Sequence, residues 1–336
     1  MASEPRLAVA SVDWPLREPF VIAGWRYESM PVIVVELSDG QGRTGRGEAV
    51  GVDYLGETVA SMQAQLRALD LARLGPMDPL PLQGLLPPGG ARNALDCALW
   101  DLHAQREGAS VFDLLGIDLP GPFPLLGTLS LGAPEAMAEA ARRHADWPRL
   151  KLKLGGGDGR DVERVRAVRT ARPDAELLVD VNGAWDCAAL EAAAEPLAEA
   201  GVRLVEQPLP PGADDGLRRG GLPVPLCADE SCQHAGDLER CATRYEYVNV
   251  KLDKCGGLTE ALRMVARARE LGVGLMVGNM CGSSLAMAPA LIVASHCGFV
   301  DLDGPLLQTD DVADPLVYAD GQVAFGPTLP WGTART

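Results

Sequence analysis

Short apolar runs that end near a polar residue recur through the second part of the chain at a nearly constant interval. Neighbouring ends lie 22 to 28 residues apart, and the stretches between them are rich in alanine, arginine and glutamate, as helices are. One strand followed by one helix takes about 25 residues, so eight such units predict a parallel (β/α)8-like barrel. The eight runs end near Thr128, Lys153, Asp180, Glu206, Asp229, Lys251, Asn279 and Asp303.

The N-terminal part of the chain has a different pattern, in which strands are followed by helices. Extended, β-branched stretches predict a small antiparallel meander over residues 6–50. Helical apolar spacing predicts helices over 57–74, ending at Gly75 and Pro76, and over 91–105. A proline-rich segment at 119–124 marks a boundary. We therefore expect an α+β capping domain over 1–122, the barrel over 123–305 and a C-terminal segment over 306–336 that packs back on the cap.

The composition restricts the partners of the protein. Its formal net charge of −16 argues against nucleic acid and anionic membranes, because both bind basic surfaces. No apolar run reaches the length of a membrane span. The N-terminus lacks the basic and apolar regions of a secretory signal, and the eight cysteines show no CxxC pair or zinc-type spacing. These features predict a reduced, cytoplasmic enzyme.

The predicted strand ends bring five charged side chains to one mouth of the barrel, where active sites form. They are Lys153, Asp180, Glu206, Asp229 and Lys251. Three of them, Asp180, Glu206 and Asp229, are carboxylates on successive strands and would be costly to bury together without a cation. Carboxylate oxygens suit Mg²⁺. Any one of these residues could instead cap the helix that follows it. Five charged residues at matching positions on consecutive strands favour a metal site.

The run RLKLK at 149–153 alternates charged and apolar side chains, so as a strand it places Lys151 and Lys153 on one face, roughly 7 Å apart. Each ammonium group disfavours the charge of the other and lowers its pKa. An isolated run of this kind could also be an exposed edge strand that lysines protect from aggregation.

Lys153 and Lys251 lie on the second and sixth predicted strands, on opposite sides of the three carboxylates. One lysine could remove the α-proton of a carboxylic acid while the other returns a proton to the opposite face, which inverts the carbon. A metal ion would stabilise the enediolate between the two steps. The pattern predicts a two-base 1,1-proton transfer.

These motifs together resemble the muconate-lactonising subgroup of the enolase superfamily, and within it the dipeptide epimerases. Four longer stretches are also similar to that group: ARNALDCALWDL (91–102), CADES (227–231), VNVKLDKCGGLTEAL (248–262) and DLDGP (301–305). The resemblance implies that Lys153 and Lys251 are the acid/base catalysts and that one Mg²⁺ per subunit binds Asp180, Glu206 and Asp229. It also implies that Lys151 stabilises the bound carboxylate and lowers the pKa of Lys153.

The resemblance implies further residues that bind the substrate. Asp301 and Asp303 would bind the free α-ammonium group of a dipeptide, which suits a pair of carboxylates, although an Asp-Gly step is often only a turn. Thr128 matches a position that contacts the substrate in the family. Met280 and Cys281, in the segment 278–282, would line the pocket, unless this segment is only a glycine-rich turn.

The predicted capping domain departs from the pattern of the family. Relatives specific for Glu carry an arginine in the loop after PFVIA, where this chain has Gly24, and the nearest cations are Arg26 and Arg17. Arg26 is the candidate to replace that arginine, and a solvated loop charge is the alternative. The sequence therefore supports dipeptide epimerisation more strongly than it supports Ala-Glu as the preferred substrate.

The sequence thus predicts a cytoplasmic, homo-oligomeric, Mg²⁺-dependent dipeptide epimerase of murein-peptide metabolism, with L-Ala-D/L-Glu as the default substrate. A cycloisomerase or o-succinylbenzoate synthase-type enzyme of the same subgroup is the first alternative, since it uses the same lysines and metal. A non-catalytic barrel that binds a metal or a peptide is the second.

Overall fold

The computed structural model describes residues 5–74, 78–118, 121–328 and 331–333. The N-terminal strands β1 (Arg6–Ile22), β2 (Trp25–Ser38) and β3 (Thr44–Ala49) form an antiparallel sheet, as the meander prediction expected. Four helices follow: α1 (Val59–Arg67), α2 (Pro79–Leu82), α3 (Gly90–Glu107) and α4 (Val111–Leu115). Two of them correspond to the predicted helices, and a 3₁₀ turn at Leu71–Leu74 completes the first. The predicted stop at Gly75 and Pro76 and residues 119–120 of the predicted boundary lie outside the described residues.

Close packing against α3 explains two glycines of β3. A Cβ on Gly45 would lie 2.0 Å from the carbonyl oxygen of Ala98, and one on Gly47 would lie 2.1 Å from that of Ala94. Only glycine therefore allows the helix to approach the sheet this closely. The apolar face of the sheet, including Ile33, packs against this helix in the core of the cap.

After the short strand β4 (Phe123–Pro124), eight parallel strands curl into a barrel in sequence order. The first and last strands meet where the amide of Leu126 donates to the carbonyl of Val300 at 2.9 Å. This arrangement confirms the predicted barrel. The strands are β5 (Gly127–Leu129), β6 (Arg149–Lys153), β7 (Glu176–Asp180), β8 (Val202–Glu206), β9 (Leu226–Ala228), β10 (Tyr247–Lys251), β11 (Gly274–Gly278) and β12 (Phe299–Val300).

The barrel helices follow the predicted alternation except in one unit. Between β8 and β9 the chain has no helix over residues 207–225, all of which are described, because this stretch is rich in proline and glycine. The helices of the barrel region are α5 (Pro134–Arg143), α6 (Asp161–Ala171), α7 (Cys187–Glu199), α8 (Leu238–Ala242), α9 (Leu252–Cys255), α10 (Leu258–Leu271), α11 (Ser284–Ala294) and α12 (Gly304–Leu307). In the described part of the chain, no helix is both long and apolar enough to cross a bilayer.

The C-terminal segment contacts both the cap and the barrel. Strands β13 (Val317–Ala319) and β14 (Gln322–Ala324) form a hairpin, which pairs with β4 at the base of the barrel. Further on, the indole of Trp331 donates to the carbonyl of Cys97 in α3 at 2.8 Å. The segment therefore contacts α3 of the cap through Trp331 and β4 through its hairpin.

Two buried carboxyl groups fasten the cap over the mouth of the barrel. Glu48 of β3 accepts hydrogen bonds from the amide and the hydroxyl of Ser283, each at 2.6 Å. Asp253 of α9 accepts hydrogen bonds from the amides of Val50 and Gly51, each at 3.1 Å. The start of the cap loop that begins at Val50 is therefore held to the barrel by two contacts.

Candidate active site

A cavity of about 770 Å³ lies between the cap and the C-terminal ends of the barrel strands. The cavity floor is the part formed by the barrel: Lys153, Asn182, Pro211, Glu230, Gln233, Lys251, Asn279, Met280 and Cys281. The cap wall is the part formed by two cap segments, and its large side chains are Phe20, Ile22, Trp25, Tyr27, Tyr54 and Leu55. The predicted mouth of the barrel is thus a covered pocket.

Lys153 is the last residue of β6 and borders the cavity. Its ammonium group lies 2.6 Å from Asp180 Oδ2 and 3.4 Å from Asn182 Oδ1, and 5.9 Å from the centre of the Phe20 ring. The leucines that alternate with the two lysines of this strand are fully buried in the barrel core. The alternation in RLKLK thus sends the lysines into the barrel and the leucines outward to the helices.

Lys251 is the last residue of β10 and borders the same cavity. Three strands separate it from β6, and its ammonium group lies 2.7 Å from Asp229 Oδ2. Burial lowers the pKa of Lys251, but the charges of Asp229 and Glu206 raise it well above its usual value. The two predicted bases therefore approach one cavity from opposite sides of the barrel.

The three predicted metal ligands are buried side by side beneath the cavity. Asp180 pairs in register with Lys153 on one side and with Glu206 on the other. Burial raises the pKa of Asp180, but Lys151 and Lys153 lower it to about 2. Burial and the charge of Asp180 raise the pKa of Glu206 to about 7. Burial raises the pKa of Asp229, whereas Lys251 and Lys254 lower it well below its usual range.

Lys151 lies beneath Lys153, enclosed by carboxylates. Its ammonium group is 2.7 Å from Glu206, 2.7 Å from Asp301 and 3.0 Å from Asp180. Burial lowers the pKa of Lys151, but these three carboxylates raise it well above its usual value. The sequence argument that paired lysines lower each other's pKa is therefore wrong for Lys151, because it omitted the carboxylates of the neighbouring strands.

Lys254 is a functional-site residue that the sequence reasoning missed. Its buried ammonium group contacts Asp229 Oδ1 at 2.6 Å and donates to the carbonyls of Cys232 and Asn249. The chain has only four lysines, at 151, 153, 251 and 254, and every other cationic side chain is arginine. This small number of lysines could have pointed to Lys254 from the sequence alone. In the structure all four ammonium groups contact the carboxylates of the site.

Two more polar residues beside the carboxylates were also missed. The amide of Asn249 donates to Glu206 Oε1 at 2.8 Å, which orients that carboxylate. Glu230 borders the cavity and accepts a hydrogen bond from the side-chain amide of Asn182 at 3.1 Å. Burial and the nearby charge of Asp229 raise the pKa of Glu230 to about 8. Asn249 lies in the same sequence motif as Lys251, and Glu230 lies in the same motif as Asp229.

Asp301, Asp303 and Thr128 meet where the first and last strands of the barrel join. The Thr128 amide donates to Asp303 Oδ2 at 2.8 Å, and its hydroxyl lies 3.4 Å from Asp301 Oδ1. Asp301 also pairs with Lys151, so the two carboxylates have different surroundings. Burial and the charge of Asp301 raise the pKa of Asp303 to about 6.

Arg26 is a predicted substrate contact that the structure places on the surface, away from the buried carboxylates. Its guanidinium pairs with Glu28 at 3.0 Å, its side chain is 60% exposed, and it does not border the cavity. Trp25 and Tyr27, its neighbours in β2, point to the cavity and stack on each other. Side chains alternate along a strand, so Arg26 points away. Met280 and Cys281 border the cavity, as the sequence predicts.

The donor chemistry of the carboxylates fits Mg²⁺. Asp180, Glu206 and Asp229 offer only oxygen ligands and lie on three adjacent strands. Within residues 5–74, 78–118, 121–328 and 331–333, no three acidic, histidine or cysteine side chains converge closely enough to hold a metal as they are placed. The carboxylates instead face lysines, since Lys151 contacts Asp180 and Glu206 while Lys251 contacts Asp229.

Comparison with known families gives matches to both parts of the chain. Residues 5–116 match the mandelate racemase / muconate lactonizing enzyme N-terminal domain, and residues 135–330 match the enolase C-terminal domain-like family. The chain is 43% identical to the L-Ala-D/L-Glu epimerase of Escherichia coli (strain K12) over 313 residues, which cover 92% of this chain and 96% of the relative.

Solved structures agree with these matches. An enolase family member from Agrobacterium tumefaciens, described as homologous to dipeptide epimerases and holding L-Ala-L-Glu and sodium, superposes with a TM-score of 0.93 and 39% identity over 98% of this chain and all of the other. A dipeptide epimerase from Enterococcus faecalis in complex with Mg and L-Leu-L-Tyr superposes with a TM-score of 0.89 and 27% identity, over 97% and 98% of the two chains.

Proposed function

The chain belongs to the mandelate racemase / muconate lactonizing enzyme family of the enolase superfamily, and from that membership we propose that it is a Mg²⁺-dependent dipeptide epimerase. It is an isomerase that inverts the α-carbon of the C-terminal residue of a dipeptide, with L-Ala-D/L-Glu as the default substrate. The observation that carries the proposal is the placement of Lys153 and Lys251 on opposite sides of one cavity with three buried carboxylates between them.

The metal supplies one part of the chemistry. Asp180, Glu206 and Asp229 would hold Mg²⁺, which when bound would offset the negative charge of the substrate carboxylate and make its α-proton more acidic. Lys254 and Asn249 fix two of these ligands, because one contacts Asp229 and the other donates to Glu206. Such contacts orient ligand oxygens before a metal binds.

The two lysines move the proton. In one direction the neutral amine of Lys153 takes the α-proton from one face of the carbon, and the ammonium of Lys251 gives a proton to the other face. In the reverse direction the two side chains exchange these tasks. The cap covers both lysines, which are at most 7% exposed, so bulk water has little access to the reacting carbon.

The N-terminal ammonium group of the dipeptide binds at the junction of the first and last strands. Asp303 is the better placed of the two candidate carboxylates, because Asp301 already pairs with Lys151. The raised pKa of Asp303, about 6, marks a carboxylate that a nearby cation would stabilise in its charged form. Thr128 holds Asp303 through its amide.

The relatives favour this function over the two alternatives from the sequence, a cycloisomerase-type enzyme and a non-catalytic barrel. The net charge of −16 argues against nucleic acid as a partner. A homo-oligomer in the cytoplasm, acting on murein peptides, completes the proposal. The oligomer and the murein peptides rest on the resemblance to the family, and the cytoplasm rests on the cysteine pattern of the sequence.

The test is incubation of the Mg²⁺-loaded enzyme with L,L-dipeptides in D₂O. A two-base epimerase incorporates deuterium at the α-carbon of the C-terminal residue and produces the L,D product, which mass spectrometry and proton NMR detect. A protein that exchanges no α-proton in any dipeptide is not a dipeptide epimerase. The double variant Lys153→Ala/Lys251→Ala, which lacks both proton carriers, controls for exchange by a contaminating enzyme.

A further inference from the structure

The cap wall is unusually apolar for a surface that faces an opening. Trp25 is 51% exposed and Leu55 is 62% exposed, and both border the cavity. They come from separate cap segments, one from the start of β2 and the other from a 3₁₀ turn at Asp53–Leu55. Trp25 also stacks on Tyr27 with ring centres 6.3 Å apart and planes 11° apart. Tyr27 packs against the apolar cluster of Phe20, Met30 and Cys281, so the exposed apolar area of the cap wall belongs mainly to Trp25 and Leu55.

The cap wall also carries no cation. Among the described residues that border the cavity, the cationic ones are Lys153 and Lys251, and both belong to the floor. The charged residues of the cap on this side are Asp53 and Glu57. A substrate carboxylate reaching the cap wall would be desolvated beside these acids without a partner, which is unfavourable.

The two cap acids are already engaged in holding the cap. Glu57 accepts hydrogen bonds from the amides of Val52 and Gly90, each at 2.9 Å. Asp53 accepts hydrogen bonds from the amide of Tyr54 and from the Tyr27 hydroxyl. These bonds use carboxylate oxygens that a cationic substrate would need, so the arrangement favours an apolar side chain over a lysine or arginine side chain.

We propose that the cap wall selects dipeptides whose C-terminal residue has a large apolar side chain, aromatic rather than acidic. This inference rests on the proposed function: when the α-carbon lies between the two lysines and the ammonium group lies at Asp303, the cap wall is the surface left for the side chain. Contact with an aromatic ring removes the exposed faces of Trp25 and Leu55 from water. L-Ala-L-Glu remains a substrate, turned over less efficiently than L-Ala-L-Phe.

The first experiment compares kcat/KM for three dipeptides by α-deuterium incorporation: L-Ala-L-Phe, L-Ala-L-Glu and L-Ala-L-Lys. We expect L-Ala-L-Phe to exceed each of the others by about tenfold. An equal or higher value for L-Ala-L-Glu overturns the inference, and so does a highest value for L-Ala-L-Lys, which would assign recognition to the cap acids. Exchange in none of the three contradicts the proposed function itself, so the two failures are distinguishable.

The second experiment assigns the preference to the cap wall. Trp25→Ala should lower kcat/KM for L-Ala-L-Phe about tenfold and leave L-Ala-L-Ala, whose side chain is too short to reach the wall, within about twofold. Leu80→Ala is the matched control, because Leu80 is a large apolar side chain that is 56% exposed but lies on α2, outside the cavity. Equal losses for both dipeptides in Trp25→Ala, or the same selective loss in Leu80→Ala, would contradict the assignment.

Discussion

The cavity floor and the cap wall face each other across one pocket, yet they are built in opposite ways. On the floor, charged side chains from several barrel strands are buried and paired with one another, as Lys153 is with Asp180 and Lys251 with Asp229. On the cap wall, Trp25 and Leu55 are exposed, one at the start of β2 and the other in a 3₁₀ turn. The buried ion pairs hold the catalytic side chains in fixed positions, and replacing one of them leaves its partner unpaired. An exposed apolar side chain can be substituted without affecting the others. The comparison indicates that the floor determines the reaction and the wall determines the substrate.

The largest expected effect comes from removing a lysine of the cavity floor. Lys153→Ala and Lys251→Ala should each lower epimerisation by at least about 10³-fold, because each removes the proton carrier for one face of the carbon. Thermal unfolding would check that both variants are folded. An epimerisation rate within about tenfold of the unchanged protein in either variant would contradict the two-base assignment.

Loss of the metal should come next. A chelator should lower the rate by at least about 10²-fold, and added Mg²⁺ should restore it. Asp229→Asn should weaken Mg²⁺ binding measured by calorimetry, whereas Asp215→Asn should not, since the Asp215 side chain is 78% exposed and pairs with Arg244. Unchanged binding in Asp229→Asn would remove this residue from the ligand set.

A cation placed on the cap wall should change specificity and leave the reaction intact. Gly24→Arg should raise kcat/KM for L-Ala-L-Glu relative to L-Ala-L-Phe by about tenfold, since a guanidinium would pair with the substrate carboxylate. A Cβ at Gly24 meets no heavy atom within 4 Å, although the positive φ of 76° makes any side chain there costly by about 1 kcal/mol.

Gly24→Ala has the same backbone cost without the charge, so it separates the two effects. Arg26→Ala should leave the ratio of the two substrates unchanged, because its side chain pairs with Glu28 outside the cavity. A changed ratio in Arg26→Ala, or no change in Gly24→Arg, would show that the wall is not where the side chain binds.

The smallest effect concerns the attachment of the wall to the floor. Burial raises the pKa of Glu48 to about 7, above the unfolded value of about 4.5, so the folded state binds its proton more tightly. The stability from this group is present below about pH 4.5 and is lost as the pH rises towards 7. Glu48→Gln should reduce the fall in unfolding free energy between pH 5 and 8 by about 1–3 kcal/mol. Urea unfolding at several pH values measures this, and an unaltered slope would contradict it.

The sequence predicted the floor far better than the wall, for a physical reason. Asp180 and Glu206 end apolar strands of a regular repeat, so the topology of a parallel barrel brings them together whatever the loops do. Arg26 lies two positions from Gly24, but β2 begins at Trp25 and its alternation turns that arginine away from the cavity. The position of a residue in a loop indicates which residues lie near it, but not which way its side chain points.

Partners across strands were also invisible in the sequence. The enclosure of Lys151 by carboxylates depends on Asp301 from the other end of the barrel sheet as well as on its neighbours. Lys254 has no period or motif of its own, and only its place among four lysines set it apart. The contact with Asp301 follows from closure of the barrel, whereas those of Lys254 join the neighbouring strands β9 and β10.

The most direct test of the account follows each lysine separately. The L,L and L,D forms of one dipeptide are incubated in D₂O with Lys153→Ala and with Lys251→Ala, and α-deuterium is measured in each. Two bases on opposite faces predict that neither variant epimerises and that any remaining exchange occurs in opposite epimers for the two variants. Exchange of the same epimer by both variants, or full epimerisation by either one, would contradict the central claim.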